Sequence, residues 1–528
     1  MIHPVWRIDL SAPSLIISDM PSRPYPSGSH HDVRVQRQLV QENSFRNTWD
    51  YRTPLPDFET AKEKQLPVPE WEGHPEVIDC YWGTWKLAWR NIRVPNMENK
   101  FLAPYMGTAF NGAVFLWDSS FIVQFADYAR HAVPFIRTLE CFYTKQHEDG
   151  YICREISETT GLDRWEKHRP RATGPNILAW AEWLHYQRSG DVGRLEKVFP
   201  ALLAYHRWMR LHRSWPDGSY WSCNLATGMD NQPRFDDEPA LRIDHHSYMT
   251  WIDACAHALL SAETLNKMAE IIGREQETTD LEQEARFLRH FIDNQLWNDS
   301  IAFYCDRKRD GTLLNLKSIG AYWLLLTGAV PAERLPLFLA NLTDETEFNR
   351  PHRVPSISAS SPEYSPAGDY WQGAVWCPTN YMVLRGLEHR GEQALAHDIG
   401  RNHLENVVEV WQKTGSLWEN YAPEFASPGT PAHADFVGWT GVAPIAVLFE
   451  QVFGIRPDIP ANRLTLDVRL QDAYQVQRYP FGDHLLDLRI ERRERSDAKP
   501  TVTLKTTTSL ILELHWPGGT ETRQVTPD

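Results

Sequence analysis

Three things are missing from this sequence: paired cysteines, a long apolar run and an excess of positive charge. Seven cysteines (Cys80, Cys141, Cys153, Cys223, Cys255, Cys305 and Cys377) are scattered through 528 residues, none at CxxC spacing. An odd, scattered set argues against a disulfide framework and against a thiolate zinc site. These thiols are expected as small buried hydrophobes. No apolar stretch approaches the roughly 20 residues that span a bilayer. The opening MIHPVWRIDLSAPS lacks the basic start and apolar block of a signal peptide. A cytoplasmic protein is the expectation. The net charge of −15 disfavours nucleic acid and anionic membrane as partners and leaves small neutral substrates open.

What is present in excess is tryptophan, 22 residues, beside 19 Tyr and 21 Phe. Large aromatics fill cores. Sugars also present apolar C–H faces that stack on indole rings, so the excess is compatible with a carbohydrate site or with helix packing.

Residues 1–73 are rich in proline, which removes a donor and fixes φ, so this arm is not a run of long helices. It is expected to pack on the main domain, with a disordered leader over its first 25 or so residues as the alternative. Helical periodicity then runs through 74–455 in about twelve segments of ordinary length. Pro134, Pro175-Asn176 and Asp191 mark helix starts. A dozen helices without a fixed 33–47-residue repeat suggest an all-α main domain built as an (α/α)6 barrel, or toroid, rather than a solenoid. A small hairpin turning at Asp310-Gly311 interrupts it. Residues 456–528 alternate with period two, as in Leu464–Val468, Leu485–Ile490, Thr501–Leu504, Leu510–His515 and Thr520–Val525. They are expected to form a small C-terminal antiparallel β domain, a cap on the barrel or else a carbohydrate-binding module.

The loop Gly228-Met229-Asp230-Asn231-Gln232-Pro233-Arg234-Phe235 presents a carboxyl group among turn formers. Asp230 there is either a local cap or a catalytic acid. Other acidic, aromatic loops are Phe115–Phe121, Asp369–Trp376, Leu417–Glu424 and His433–Trp439. Asp118 precedes a helix and could be its N-cap or hold sugar hydroxyls. Glycoside hydrolysis with inversion needs two carboxyl groups about 6.5–9.5 Å apart, one protonated and one activating water. Asp230 and Glu419 fall on separate inter-helix loops that a closed ring can bring to one end.

Four of these pieces, FLWDSSF at 115–121, GMDNQPRF at 228–235, DYWQGAVWCPTNYMVLRGL at 369–387 and LWENYAPE at 417–424, resemble glycoside hydrolase family 63, in particular bacterial mannosylglycerate and glucosylglycerate hydrolases. Trehalases are more distantly similar. They occur in the family's order over more than 300 residues. The resemblance implies an (α/α)6 barrel and an inverting α-glucosidase or α-mannosidase. It implies Asp230 as general acid and Glu419 as general base, with no cofactor and no metal. It places Trp117 and Asp118 in the subsite of the released sugar. Tyr370, Trp371 and Trp376 are placed on the pocket wall, with Asn231 and Arg234 as supports. Gln372 and Trp418 complete the candidate substrate-binding set. The sequence departs from the family pattern at Gln372 and Ala374, where relatives often have Arg and Pro, which leaves sugar identity open. Glu424 is a rival carboxylate in the base loop. A glycoside phosphorylase and a non-catalytic glycan-binding protein are the alternatives. A carbohydrate is the expected partner, and the oligomeric state stays open.

Overall fold

The computed structural model describes residues 42–46, 54–108, 111–234 and 244–527, together with the two-residue strands Ile8–Asp9 and Ile16–Ile17. Most of the proline-rich leader, and Phe235 of the acid loop, lie outside the described residues. Among those described, no helix is long and apolar enough to cross a membrane. All seven cysteines are free and buried.

Burial patterns sort the helices into two sets. Every residue of Leu116–Ala126 is buried, the signature of a helix covered on all sides. Thr279–Gln295 buries only Asp280, Leu281, Glu284, Ala285, Leu288, Phe291 and Ile292, a stripe at three- and four-residue steps, and turns a charged face to water. Six inner segments follow one another around the core: Leu116–Ala126, Leu178–Ser189, Ile252–Ile272, Ile319–Leu326, Cys377–His389 and Ala443–Val452. Each packs on the next, and the last returns to the first. Outside them, Val192–His212 and Thr279–Gln295 pack on Ile252–Ile272, and Gln393–Thr414 packs on Cys377–His389 and Ala443–Val452. Pro75–Arg90 covers the seam between Gln393–Thr414 and Ala443–Val452.

Several expected helices differ in detail. Ile319–Leu326 is a 3₁₀ helix and Ala443–Val452 a π-helix. The stretch after Pro134 is a 3₁₀ turn, Phe135–Leu139, running into Glu140–Thr144. Asp191 caps Val192–His212 as expected, accepting from the Arg194 N–H at 2.9 Å. Asp118 does not cap its helix; Phe115 occupies that position and Asp118 sits inside the first turn. The hairpin is two small pairings, Trp297–Asn298 with Phe303–Tyr304, and Arg307 with Leu313 around Asp310-Gly311.

The C-terminal strands form two four-stranded sheets. One runs Ile455–Asp458, Arg463–Asp467, Leu510–Trp516, Gly519–Val525, and buries Leu464, Leu466, Leu510, Leu512 and Leu514. Its two middle strands are parallel, so the expectation of a purely antiparallel region is corrected there. The long connection between them carries three strands of the second sheet, and a chain that leaves and returns can re-enter in the same direction. That second sheet is antiparallel throughout: Val502–Lys505, His484–Ile490, Tyr474–Phe481 and Val68–Trp71. Its last strand comes from the N-terminal arm and lies at the edge, where Pro69 removes no ladder bond that the sheet needs.

Candidate active site

The loop carrying Asp230 is built on a glycine. The short helix Asn224–Thr227 ends at Gly228 with φ +75°, and a Cβ there would stand 3.3 Å from the Trp117 indole. Both the left-handed turn and the close approach require glycine. The Asn224 amide then donates to the carbonyls of Asp230 and Gln232, both at 3.0 Å. Gln232 is buried, donates to the Ser356 carbonyl at 2.9 Å and accepts from the Ser318 hydroxyl at 2.9 Å. Arg234 anchors the far end. Its guanidinium bonds both oxygens of Asp253 (2.7 and 3.2 Å) and of Asp306 (2.7 and 2.8 Å) over the face of Trp251.

The second loop is stitched to the first. The Asn231 Oδ1 accepts from the Trp371 N–H at 2.7 Å, and its Nδ2 donates to the Asp369 carbonyl at 3.1 Å. The Gln372 amide donates to the Asn231 carbonyl at 2.9 Å. From this turn the Tyr370 hydroxyl donates to Glu419 Oε1 at 3.0 Å. The Glu419 backbone is held by the Trp439 indole N–H (2.9 Å to its carbonyl) and by the His433 carbonyl (2.9 Å from its N–H). Its Oε2 accepts from the His433 N–H at 3.3 Å.

These loops close on a pocket of about 310 Å³. Trp117, Trp165, Trp371 and Trp439 supply aromatic walls, and Asp118, Glu155, Asp230 and Glu419 supply carboxyl groups. Arg154 and Arg171 are its cations. Burial raises both main candidates, and hydrogen-bond donors distinguish them. Asp230 is half-buried, and burial pushes its carboxyl up to about 6, reinforced by the nearby charges of Glu419 and Glu155 and opposed by Arg154. No hydrogen bond from a described residue contributes to that balance. Glu419 is 1% exposed. Burial raises its carboxyl too, but His433 and the Tyr370 hydroxyl stabilise the ionised form. Burial also raises Asp118, which feels the charges of Glu419 and Glu155. A protonated carboxyl beside a hydrogen-bonded carboxylate is an arrangement capable of paired acid and base catalysis.

Residues 113–440 match the family model described as the mannosylglycerate hydrolase MGH1-like glycoside hydrolase domain. The chain belongs to this family of glycoside hydrolases. Among curated relatives, a probable mannosyl-oligosaccharide glucosidase of Schizosaccharomyces pombe is 27% identical over 301 residues, 49% of this chain and 36% of that one. The mannosylglycerate hydrolase MGH1 of Selaginella moellendorffii is 23% identical over 308 residues, 48% of this chain and 60% of that one. In fold, the chain is similar to the crystal structure of the GH63 mannosylglycerate hydrolase from Thermus thermophilus in complex with glucose. The TM-score is 0.55 and the identity 20%, covering 68% of this chain and 98% of that one.

In this chain the pocket brings together Asp230, Glu419, Trp117, Asp118, Tyr370 and Trp371. Five other candidates are not on its wall. Trp376 is fully buried behind Trp371, and Arg234 is fully buried in its ion pairs. Asn231 and Gln372 are spent on stitching the two loops. Trp418 turns its indole N–H to the Thr414 hydroxyl at 3.0 Å. The rival Glu424 is bound by Arg350 at 2.7 and 2.9 Å and by the Tyr364 hydroxyl at 2.6 Å, which hold its carboxyl low. Glu419 is more buried than Asp230, and the Tyr370 hydroxyl and the His433 N–H support its charge. The sequence reading missed Arg154, Glu155, Trp165, Arg171 and Trp439. The RE pair at 154–155 and the Arg- and Trp-bearing stretch 164–171 sit among ordinary charged residues, and nothing local distinguishes them. Trp439 stands in one of the acidic, aromatic loops, His433–Trp439, without having been singled out.

Proposed function

We propose that this hydrolase cleaves an α-glucoside or α-mannoside of a small molecule or oligosaccharide with inversion, on an (α/α)6 barrel whose inner ring is the cyclic set of six segments. Asp230 donates a proton to the leaving oxygen. Glu419 takes a proton from the water that attacks the anomeric carbon from the opposite side. Trp117, Trp371 and Trp439 offer faces for the sugar ring, and Asp118 accepts from its hydroxyls.

The observation that carries this reading is the contrast between two carboxyl groups in one pocket. Among the described residues none donates a hydrogen bond to Asp230's carboxyl, and burial pushes it up to about 6. Glu419 has two donors on its oxygens. Direction of proton flow follows from that difference. The substrate class is supported by the names of the relatives, a mannosylglycerate hydrolase and a mannosyl-oligosaccharide glucosidase. The test is a panel of α-linked disaccharides and glycosyl-glycerates with the first-formed anomer read by proton NMR. A β-sugar released without phosphate is expected. An α-anomer, or turnover only with phosphate, overturns the mechanism.

A further inference from the structure

We infer that Asn231 and Tyr370 are positioning residues: together they form a brace that fixes the base-bearing carboxylate relative to the acid loop. The inference rests on the acid and base assignment proposed above. Asn231 follows Asp230 directly in the chain but is not on the pocket wall. Its side-chain amide makes two bonds, both to the backbone of the neighbouring turn, at Trp371 N–H and Asp369 carbonyl. A planar amide that donates and accepts at once reproduces a β-ladder pairing, so it fixes both the distance and the orientation of that turn.

The turn it holds contains Tyr370 in the left-handed region, at φ 53°. This conformation is sparsely populated for a residue with a Cβ and persists only where neighbours over-determine it. Here they do. The Tyr370 N–H donates to the Gly368 carbonyl at 3.0 Å, and its carbonyl accepts from the Trp376 indole at 3.2 Å. The backbone twist aims the phenol at Glu419 Oε1. Burial beside Glu419 and Asp230 keeps that phenol protonated, so it remains a donor. The chain of contacts is therefore continuous: Asp230 to Asn231 by the peptide, Asn231 to the 369–371 turn by two bonds, Tyr370 to Glu419 by one. The Gln372 amide runs beside this route, donating to the Asn231 carbonyl at 2.9 Å.

The test is steady-state kinetics and pH profiles of Tyr370→Phe, Asn231→Ala and the double variant, with thermal midpoints. Removing the hydroxyl donor raises the pH at which Glu419 ionises, so the ascending acid limb of kcat moves to higher pH and kcat at its optimum falls on the order of tenfold. Asn231→Ala produces the same two changes with KM held, because it touches no substrate. The double variant is no worse than the worse single, since both open one brace. An unshifted acid limb in either variant, a KM rise in place of a kcat loss in Asn231→Ala, or effects that multiply would overturn the brace. Tyr370→Phe removes one oxygen and keeps the ring, so it decides alone if Asn231→Ala does not fold. Asp230→Asn and Glu419→Gln run in parallel. Wild-type turnover in those two removes the acid and base assignment itself, an outcome separate from failure of the brace.

Discussion

Trp371 lies flat on Trp376, ring centroids 3.9 Å apart and planes 1° from parallel. Only Trp371 reaches the pocket. Trp376 is the backing that keeps the wall from receding, and it is clamped in turn by the Trp439 ring at 5.6 Å. Trp376→Ala therefore combines a core void with a loosened wall. We expect a stability loss of about 3–5 kcal/mol by urea unfolding, and a raised KM. Trp376→Phe, which refills part of the space, should recover most of both. A raised KM with no stability loss would place Trp376 on the substrate instead.

The pH profile follows from the state of Asp230. In the proposed mechanism Asp230 works only while protonated, so kcat/KM is expected to fall as pH rises through about 6, the value to which burial pushes this carboxyl. Asp230→Asn removes the proton donor and should cost about 10²–10⁴-fold in turnover. Its effect on stability has the opposite sign. The folded state binds this proton more tightly than the unfolded chain, so stability declines between the unfolded value near 3.8 and the folded value of about 6. Above that window the folded state carries a charge it disfavours. The Asn variant, neutral at every pH, should be more stable than wild type at pH 7 by on the order of 1–2 kcal/mol after solvent screening. Differential scanning calorimetry at pH 4 and pH 7 checks it, with the gain present only at the higher pH.

Legibility of the sequence tracked how local each determinant is. Asp191 as a cap, the Gly228 turn and the alternating Leu464–Leu466 and Leu510–Leu514 stretches depend on neighbours within a few residues, and they stand where periodicity puts them. The strand Tyr474–Phe481 escaped because a bulge between Val476 and Tyr479, with Arg478 at φ 56°, breaks its alternation and Pro480 argues against a strand. The Val68–Trp71 strand pairs across some 400 positions of chain, which no window can see. In the site, Asp118, Asp230 and Glu419 stand in motifs that resemble the family's and line one pocket, whereas Glu155 stands in no such motif. Trp376 and Trp418 are expected at the substrate but lie off the pocket wall, because adjacency to a motif does not reveal which way a side chain points. Arg154 and Trp165 reach the pocket only through tertiary placement.

Arg234 gives a prediction about the acid loop alone. Its guanidinium is fully buried between Asp253 and Asp306. Arg234→Met leaves two buried carboxylates facing each other without a cation. Breaking such an ion pair from one side costs about 3–5 kcal/mol. Urea unfolding should show that loss, and activity should fall with it because Asp230 lies four residues away on the anchored segment. Replacing all three by apolar residues should restore much of the stability and little of the activity, since the loop end is then packed but no longer fixed in direction.

The strand region makes the last prediction, because the structure ties it to the helices at several separate points. The Tyr474 ring stacks on Phe453 at 4.5 Å and its hydroxyl donates to the Phe453 carbonyl at 2.9 Å. Ile459 donates to the Gln187 carbonyl at 2.8 Å, and Arg130 donates to the Gly482 carbonyl at 3.1 Å. Among the described residues, the N-terminal strand Val68–Trp71 loses its only neighbour in the sheet if Tyr474–Phe481 is removed. A chain ending at residue 455 would expose Trp71, Phe453 and Tyr479's partners Tyr128 and Phe449 together, an apolar patch that promotes association. We expect that truncation to be insoluble or to lose its cooperative thermal transition. Tyr474→Ala in the full chain should fold and lose about 3–5 kcal/mol. A soluble, active chain of residues 1–455 would show instead that the strand region is a separable module, and the cap reading would fall.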